Sequence, residues 1–157
     1  MKNKLINVSD VGWESWSHEN NYGSDQKHIG DTAGAEKVGV TMEKVAPGMA
    51  SALAHYHTKE EEHIYAMQGE ATLYIDDEPH VFSEGKYICF TANSGIAHKI
   101  VNNSDADFIF LVVGSRDTHD VVVYPETNKV LVRSMNEVYD RSPTSYFNND
   151  KEEQQEK

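Results

Sequence analysis

The chain has 157 residues, enough for one domain with its own core and no covalent staples. Acidic residues outnumber basic ones 26 to 14, and the formal net charge of −12 argues against nucleic-acid binding and against anionic membranes. The single cysteine, Cys89, excludes an intramolecular disulfide, and we expect it to be a small buried core residue. No run approaches the ~20 apolar residues of a membrane span. No secretory signal follows Met1, so we expect a cytoplasmic protein.

The N-terminal part of the chain predicts little regular structure. Residues 5–8 form a short strand candidate, and the segment after them carries Trp13, Trp16 and Tyr22 without a sustained period. We therefore expect an irregular N-terminal arm that lies over the rest of the domain, with its tryptophans filling surface hollows.

From residue 37 onward, the chain predicts many short strands separated by turns. In residues 37–45, apolar side chains alternate with Gly39, Thr41 and Glu43, which is the period of a strand. Ala-Pro-Gly at 46–48 is a turn signature. Further β-prone apolar runs lie at 63–67, 71–75, 81–82, 87–90, 98–101, 108–113, 121–124 and 130–132, and a short helix could begin at Met135. Short strands with frequent turns predict an antiparallel sandwich or small barrel, because the connections are too short for crossover helices.

The segment from residue 55 to residue 63 suggests a metal site. His55 and His57 are two residues apart, so both imidazoles point to the same face of a strand. Glu62 opens the next apolar run after four intervening residues and can face the same pocket. Two imidazoles and one carboxylate suit one divalent transition metal, and iron, manganese, nickel, zinc and copper all fit. His98, at the start of a later strand, offers a fourth ligand.

The residues around these ligands predict an apolar pocket. Strand alternation turns Tyr56 and His63 away from the ligands, so we expect packing or surface roles for both. The residues that share a face with the ligands are Ile64, Ala66, Ile96 and Ile100, and no second acid or base is evident among them. Three residues nearer the C-terminus could reach the pocket: Arg116, His119 and Tyr124. The favoured interpretation, however, is that Arg116 and His119 are exposed loop residues and that Tyr124 has a packing role.

The spacing of these residues resembles the two motifs of the cupin family. The first motif is matched by Gly48, His55, His57, Glu62 and Gly69, with one extra residue between Gly48 and His55. The second is matched by Gly85, Gly95, His98 and Asn102. Thr91 stands where proline is usual, and the turn at residues 92–94 is longer. The resemblance covers roughly residues 38–114.

This resemblance implies an all-β domain: a double-stranded β-helix, or jelly-roll, cupin barrel over residues 1–145. It also implies a divalent metal at the barrel mouth on His55, His57, Glu62 and His98, and a homodimer. Residues 146–157 are almost wholly polar and charged, and their composition predicts a disordered tail.

Three hypotheses for the function follow. The first is a metal-dependent enzyme on a small organic molecule, of the oxygenase, isomerase or decarboxylase class, with an open metal position. The second is a non-catalytic, metal-dependent module that binds or senses a small molecule. The third is a structural barrel that the metal only braces, which predicts a large loss of stability on chelation.

Overall fold

The computed structural model describes residues 4–19 and 21–146, so most of the tail predicted at 146–157 lies outside the described residues. Strands dominate this part of the chain, together with one short helix, α1 (Ile29–Ala33), and two 3₁₀ turns, Val8–Asp10 and Pro125–Thr127. The strands, in chain order, are β1 (Glu14–His18), β2 (Tyr22–His28), β3 (Val38–Val45), β4 (Tyr56–His57), β5 (Glu62–Gln68), β6 (Glu70–Ile75), β7 (Glu78–Ser83), β8 (Tyr87–Phe90), β9 (His98–Val101), β10 (Phe108–Ser115), β11 (Val121–Tyr124), β12 (Lys129–Val132) and β13 (Glu137–Asp140).

The strands form three antiparallel sheets. The largest has the order β1-β2-β3-β10-β5-β8, the second β13-β12-β11-β4 and the third β7-β6-β9. Neighbours in these sheets are often distant in sequence, as where β10 lies between β3 and β5. This arrangement confirms the predicted all-β, jelly-roll type of fold.

The core lies between the inner faces of the sheets. It is a cluster of buried apolar side chains: Val45, Ile64, Ala66, Ala71, Leu73, Phe82, Phe90, Ile100, Phe108 and Phe110. On β3 the buried side chains are Val45 and Glu43, so the inward face is the one that also carries Gly39 and Thr41. The apolar residues Val38, Val40 and Met42 lie on the opposite, outward face of β3. The polar side of this strand therefore faces the interior.

The N-terminal segment is more regular than predicted. Strands β1 and β2 form a hairpin in which Glu14 pairs with Gln26 and His18 with Tyr22, and β2 then pairs with β3. The expectation of an irregular arm is therefore wrong for residues 14–28. Its polar sequence has no clear strand alternation, and the pairing that orders it is with β3, which no local pattern reveals.

The C-terminal part of the described chain is a strand and not the short helix that the sequence suggested. Residues 137–140 pair with β12 as strand β13, so the short helix suggested from Met135 is not present. Among the described residues, no helix reaches the length and hydropathy needed to cross a membrane. The homodimer and the cytoplasmic location stay predictions.

Candidate metal centre

Backbone pairing brings the predicted ligands together. His55 and His98 exchange both backbone hydrogen bonds, with N···O distances of 3.1 and 2.9 Å. Residues that pair in this way lie opposite each other with their side chains on the same face. His57 lies two residues along and pairs with Val122 of β11. Glu62 begins β5 and pairs with both β8 and β10, so three separate segments supply the four side chains.

The three imidazoles converge on one carboxylate oxygen of the fourth side chain, Glu62. Glu62 Oε2 lies 3.0 Å from Nε2 of His98, 3.9 Å from Nε2 of His57 and 4.0 Å from Nε2 of His55. The ligand atoms of His55, Glu62 and His98 all lie within 4.8 Å of one another. The His57 ring centroid lies 5.3 Å from that of His55, and its Nδ1 faces a second group of acids, Asp120 and Glu60. The structure thus places all four predicted residues around one point.

Two of the imidazoles are held in the tautomer that a metal requires. His55 donates its Nδ1 hydrogen to the carbonyl oxygen of Leu53 at 2.8 Å, and His57 donates its own to Asp120 Oδ2 at 2.7 Å. A ring that donates from Nδ1 and is neutral carries its lone pair on Nε2. Both lone pairs therefore point toward Glu62, as in other metal sites where a carbonyl or carboxylate orients the histidine.

The third imidazole has a buried nitrogen without a partner. His98 is 3% exposed and stacks on Phe90, with ring centroids 3.7 Å apart and planes 5° from parallel. Its Nδ1 atom has no hydrogen-bond partner among the described residues, while Nε2 faces Glu62. A buried polar atom without a partner is costly and rare. Stacking on the Phe90 ring and the contact of Nε2 with Glu62 together fix the direction of this imidazole.

Charge in the centre favours cation binding. Burial opposes ionisation of Glu62, but the hydrogen bond from His98 and the surrounding imidazoles outweigh it and lower the pKa of Glu62 to about 2. Burial, helped by nearby His98, lowers the pKa of His55 to about 4. At neutral pH the site therefore holds a carboxylate and an unprotonated His55 imidazole, which are the forms that bind metals.

A network of buried charges supports His57 and was not found from the sequence. Asp120 is fully buried and accepts backbone N–H groups from Thr58 at 3.0 Å and Lys59 at 2.8 Å, as well as His57. Arg133 lies 3.4 Å from Asp120 and 2.7 Å from Glu60. Asp120 directly precedes a run of valines, and nothing in that position marks it as buried. Only the pairing of β11 with β4 places it behind His57.

Two other clusters resemble metal sites but are less suitable. His57, Glu60 and Asp120 lie close enough to share an ion, yet the Arg133 guanidinium already forms ion pairs with both acids. The other cluster is Glu61, His63 and Cys89. Glu61 directly precedes β5, and His63 pairs with Cys89 where β5 lies beside β8. Burial and the adjacent Glu61 raise the pKa of the Cys89 thiol, which disfavours the thiolate that a metal binds. Cys89 is also half-buried, not fully buried as expected.

Two cavities meet at the centre. Three residues line both of them: Thr41, Glu62 and Val112. The larger, about 570 Å³, is bordered by His57, and the smaller, about 330 Å³, is bordered by His55 and His98. A metal on these ligands would therefore face both spaces, and a small molecule could reach it.

The smaller cavity is more polar than predicted. Ile64 and Ile100 line it, as strand alternation implied, but so do Gln26, Thr41 and Glu43. The expectation that no second acid borders the ligands is therefore wrong. These polar residues belong to β2 and β3, and alternation along the ligand-bearing strands could not place them.

The three C-terminal candidates have different positions. Arg116 lines the larger cavity and pairs with Asp31. His119 is exposed and pairs with Asp117. The ring of Tyr124 lies 5.9 Å from the ring of His55, and burial raises its pKa. Tyr124 thus packs against a predicted ligand, while His119 lies on the surface.

Comparison with known proteins agrees with this geometry. Residues 41–114 match the model of the Cupin domain family. The structure is similar to that of a candidate sugar phosphate isomerase from Acidithiobacillus ferrooxidans, with a TM-score of 0.80 and 29% identity over 87% of this chain and 91% of that one. Residues 41–114 are thus similar to the cupin family, and the fold of the chain is similar to that of this solved structure.

Two more distant structures show the same fold. A protein from Silicibacter pomeroyi, described as a sugar phosphate isomerase from a cupin superfamily, has a TM-score of 0.79 and 22% identity over 91% of this chain and 98% of that one. A predicted oxalate decarboxylase from Thermotoga maritima has a TM-score of 0.60 and 20% identity over 71% of this chain and 98% of that one. No curated protein matches the chain at a significant level.

Proposed function

We propose that the chain is a metal-dependent isomerase of a small sugar or sugar phosphate, with its metal on His55, His57, Glu62 and His98. The observation that carries this proposal is the convergence of three imidazole Nε2 atoms on one carboxylate oxygen, within 3.0 to 4.0 Å. Such a donor set suits a divalent transition metal and leaves one or two coordination positions for a substrate or water.

The surrounding residues fit a bound metal. The hydrogen bonds from His55 to Leu53 and from His57 to Asp120 fix two rings with their lone pairs toward the site. Without a cation, the carboxylate of Glu62 has only the hydrogen bond at His98 Nε2 among the described residues. A bound divalent metal supplies a Lewis acid that polarises a carbonyl or hydroxyl group.

The isomerase class is favoured over the other cupin chemistries by two features. The candidate sugar phosphate isomerase shares 29% identity over nearly the whole of both chains, whereas the decarboxylase similarity, at 20%, speaks for the fold alone. The smaller cavity also presents hydroxyl, amide and carboxyl groups from Thr41, Gln26 and Glu43. Polar groups of this kind suit a polyhydroxylated substrate, which has many donors and acceptors to satisfy.

The charges around the larger cavity limit how a phosphate could bind. Arg133 is paired with Glu60 and Asp120, and Arg116 is paired with Asp31. A phosphate would have to displace one of these carboxylates from its arginine. Arg116 is the easier of the two to recruit, because its partner Asp31 is 53% exposed, whereas Glu60 and Asp120, the partners of Arg133, are buried.

The test is a search for turnover with defined metals. Protein purified without added metal is analysed for bound metal, then loaded separately with manganese, iron(II), cobalt, nickel or zinc. Each sample is incubated in D₂O with C3–C6 aldoses, ketoses and their monophosphates, and conversion is followed by proton NMR. We expect one sugar to be isomerised with deuterium gained at a carbon beside the carbonyl. Ligand-induced stabilisation without conversion or exchange would contradict the proposal and favour the binding module.

A further inference from the structure

Glu43 is a buried acid in the wall of the smaller cavity. Its side chain comes from the inward face of β3 and is 7% exposed. It shares the cavity with His55, Glu62 and His98. Among the described residues, no lysine or arginine lies within ion-pair distance of it. A buried carboxyl without a cation is unusual unless it serves a function.

The hydrogen bonds of Glu43 all end on one of its two oxygens. Ser24 Oγ donates to Glu43 Oε1 at 2.5 Å and Gln26 Nε2 donates to the same atom at 3.1 Å. Trp16 Nε1 lies 2.9 Å from Ser24 Oγ and can only donate, so the single hydroxyl hydrogen of Ser24 is directed at Glu43. Because donors point at Oε1, a proton on this carboxyl must be carried by Oε2.

The other carboxyl oxygen of Glu43 has no hydrogen-bond partner within the described part of the chain. Oε2 of Glu43 accepts no hydrogen bond from the described residues, and it is not among their fully buried unpaired atoms, so it has contact with open space. Glu43 lines the smaller cavity, beside His55 and His98. The N-terminal hairpin thus holds one carboxyl oxygen still and leaves the proton-carrying one facing the predicted metal ligands.

We infer that Glu43 is a catalytic residue that moves a proton between two adjacent carbons of a hydroxycarbonyl substrate. This inference rests on the proposed isomerase function. The other acids nearby are occupied: Glu62 faces three imidazoles, and Asp120 is saturated by hydrogen bonds. The imidazoles direct their Nε2 atoms toward Glu62.

The step balances without any other reactant. The Glu43 carboxylate takes the proton from the hydroxyl-bearing carbon, and the electron pair of that C–H bond becomes the carbon–carbon double bond of an enediolate. The π pair of the carbonyl moves to its oxygen, which takes the proton released by the neighbouring hydroxyl group. Glu43 then returns its proton to the former carbonyl carbon, and the second oxygen becomes the carbonyl. Burial raises the pKa of Glu43, although the hydrogen bonds from Ser24 and Gln26 oppose this, and a raised pKa makes its carboxylate a stronger base.

The test compares wild type with Glu43→Gln in the metal-loaded, full-length protein. The amide keeps an oxygen for Ser24 and Gln26, so the fold and the cavity wall should be retained. With the sugar that wild type converts, we expect kcat and deuterium incorporation from D₂O to fall about 100-fold to 10,000-fold, with metal content and melting temperature nearly unchanged. Glu78→Gln, an exposed carboxyl on β7, is the matched control and should retain wild-type kcat.

The possible outcomes separate the two claims. Wild-type turnover with Glu43→Gln within threefold of it would overturn the role of Glu43 and leave the isomerase proposal standing. Loss of turnover in Glu43→Gln together with loss of the metal would also overturn it, since the effect would then be structural. No turnover and no exchange by wild type with any metal and sugar would overturn both claims.

Discussion

Asp120 accepts the Nδ1 hydrogen of His57 across 2.7 Å, from a position that is completely shielded from solvent. Burial alone would raise the pKa of Asp120, but the hydrogen bonds from His57 and from the backbone of Lys59 hold it below its ordinary value. The acid is therefore ionised and can only accept. This fixes the His57 tautomer and makes Asp120 a positioning residue for the metal centre.

We expect Asp120→Asn to weaken metal binding about 10-fold to 100-fold. The amide can accept from His57 or from the backbone N–H groups of Thr58 and Lys59, but its own NH₂ group then faces the remaining donors. Competition with a chelator of known affinity measures the change. Asp77→Asn, at an exposed turn, is the control and should bind metal as wild type does. Equal affinities in the two variants would show that Asp120 does not orient His57.

Gly69 occupies a position that no other residue can adopt without strain. Its φ is +80°, and a Cβ atom there would lie 2.8 Å from the backbone oxygen of Asp107. Gly69→Ala should therefore destabilise the fold by about 2 to 3 kcal/mol, as measured by urea unfolding. Gly12→Ala, where a Cβ would meet nothing within 4 Å, should be nearly neutral. Equal stability of the two variants would contradict this assignment.

Asn102 joins two loops through its side chain. It is fully buried, donates to the carbonyl oxygens of Val45 and Ala106 at 2.8 Å each, and accepts from the backbone and hydroxyl of Ser104. Asn102→Ala leaves these groups unpaired and should cost about 3 kcal/mol of unfolding free energy. Asn103→Ala, next to it but exposed, should cost far less. A loss below 1 kcal/mol in Asn102→Ala would refute the role of this side chain.

The raised pKa of Glu43 predicts a pH-dependent stability. Burial raises the pKa of Glu43 above its ordinary value of 4.5, and the charge of Glu62 raises it further. The hydrogen bonds from Ser24 and Gln26 and the nearby His28 lower this pKa, but they do not cancel the effect of burial. The folded state then binds the Glu43 proton more tightly than the unfolded chain does. Its stabilising effect is complete below pH 4.5 and is lost as pH rises through the folded pKa.

Glu43→Gln has no such loss. In metal-free protein, its unfolding free energy relative to wild type should therefore increase as pH rises from 5 to 8. Urea unfolding of both proteins at several pH values measures this difference. Because both proteins contain His55 and His98, the titration of these histidines cancels in the comparison. A difference that stays constant or decreases would show that the pKa of Glu43 is not raised.

The convergence of the four candidate ligands could be predicted because their signals are local. His55 and His57 lie on the same face because side chains in a strand alternate with a period of two. This relation does not depend on which strands pair with each other. Glu62 and His98 each begin an apolar run, so their placement at strand starts was also visible. The spacing of glycines around them completed the resemblance to cupins, and the barrel followed from the number of short strands.

The surroundings of the ligands could not be predicted because they depend on pairing between distant segments. Asp120 reaches His57 only because β11 lies beside β4, and Glu43 reaches the cavity only because β3 turns its polar side inward. Ser24 and Gln26 belong to a hairpin whose sequence carries no strand period. Alternation identifies the two faces of a strand, but not which one faces a cavity lined with polar groups.

The measurement that tests the metal site most directly is the metal content of two histidine variants purified without added metal. His57→Ala should lose tightly bound metal, because it removes one of the three imidazoles around Glu62. His63→Ala should retain about one ion per chain as wild type does, since His63 lies on the opposite face of β5 with Glu61 and Cys89. Full metal occupancy in both variants would contradict the assignment of the ligands.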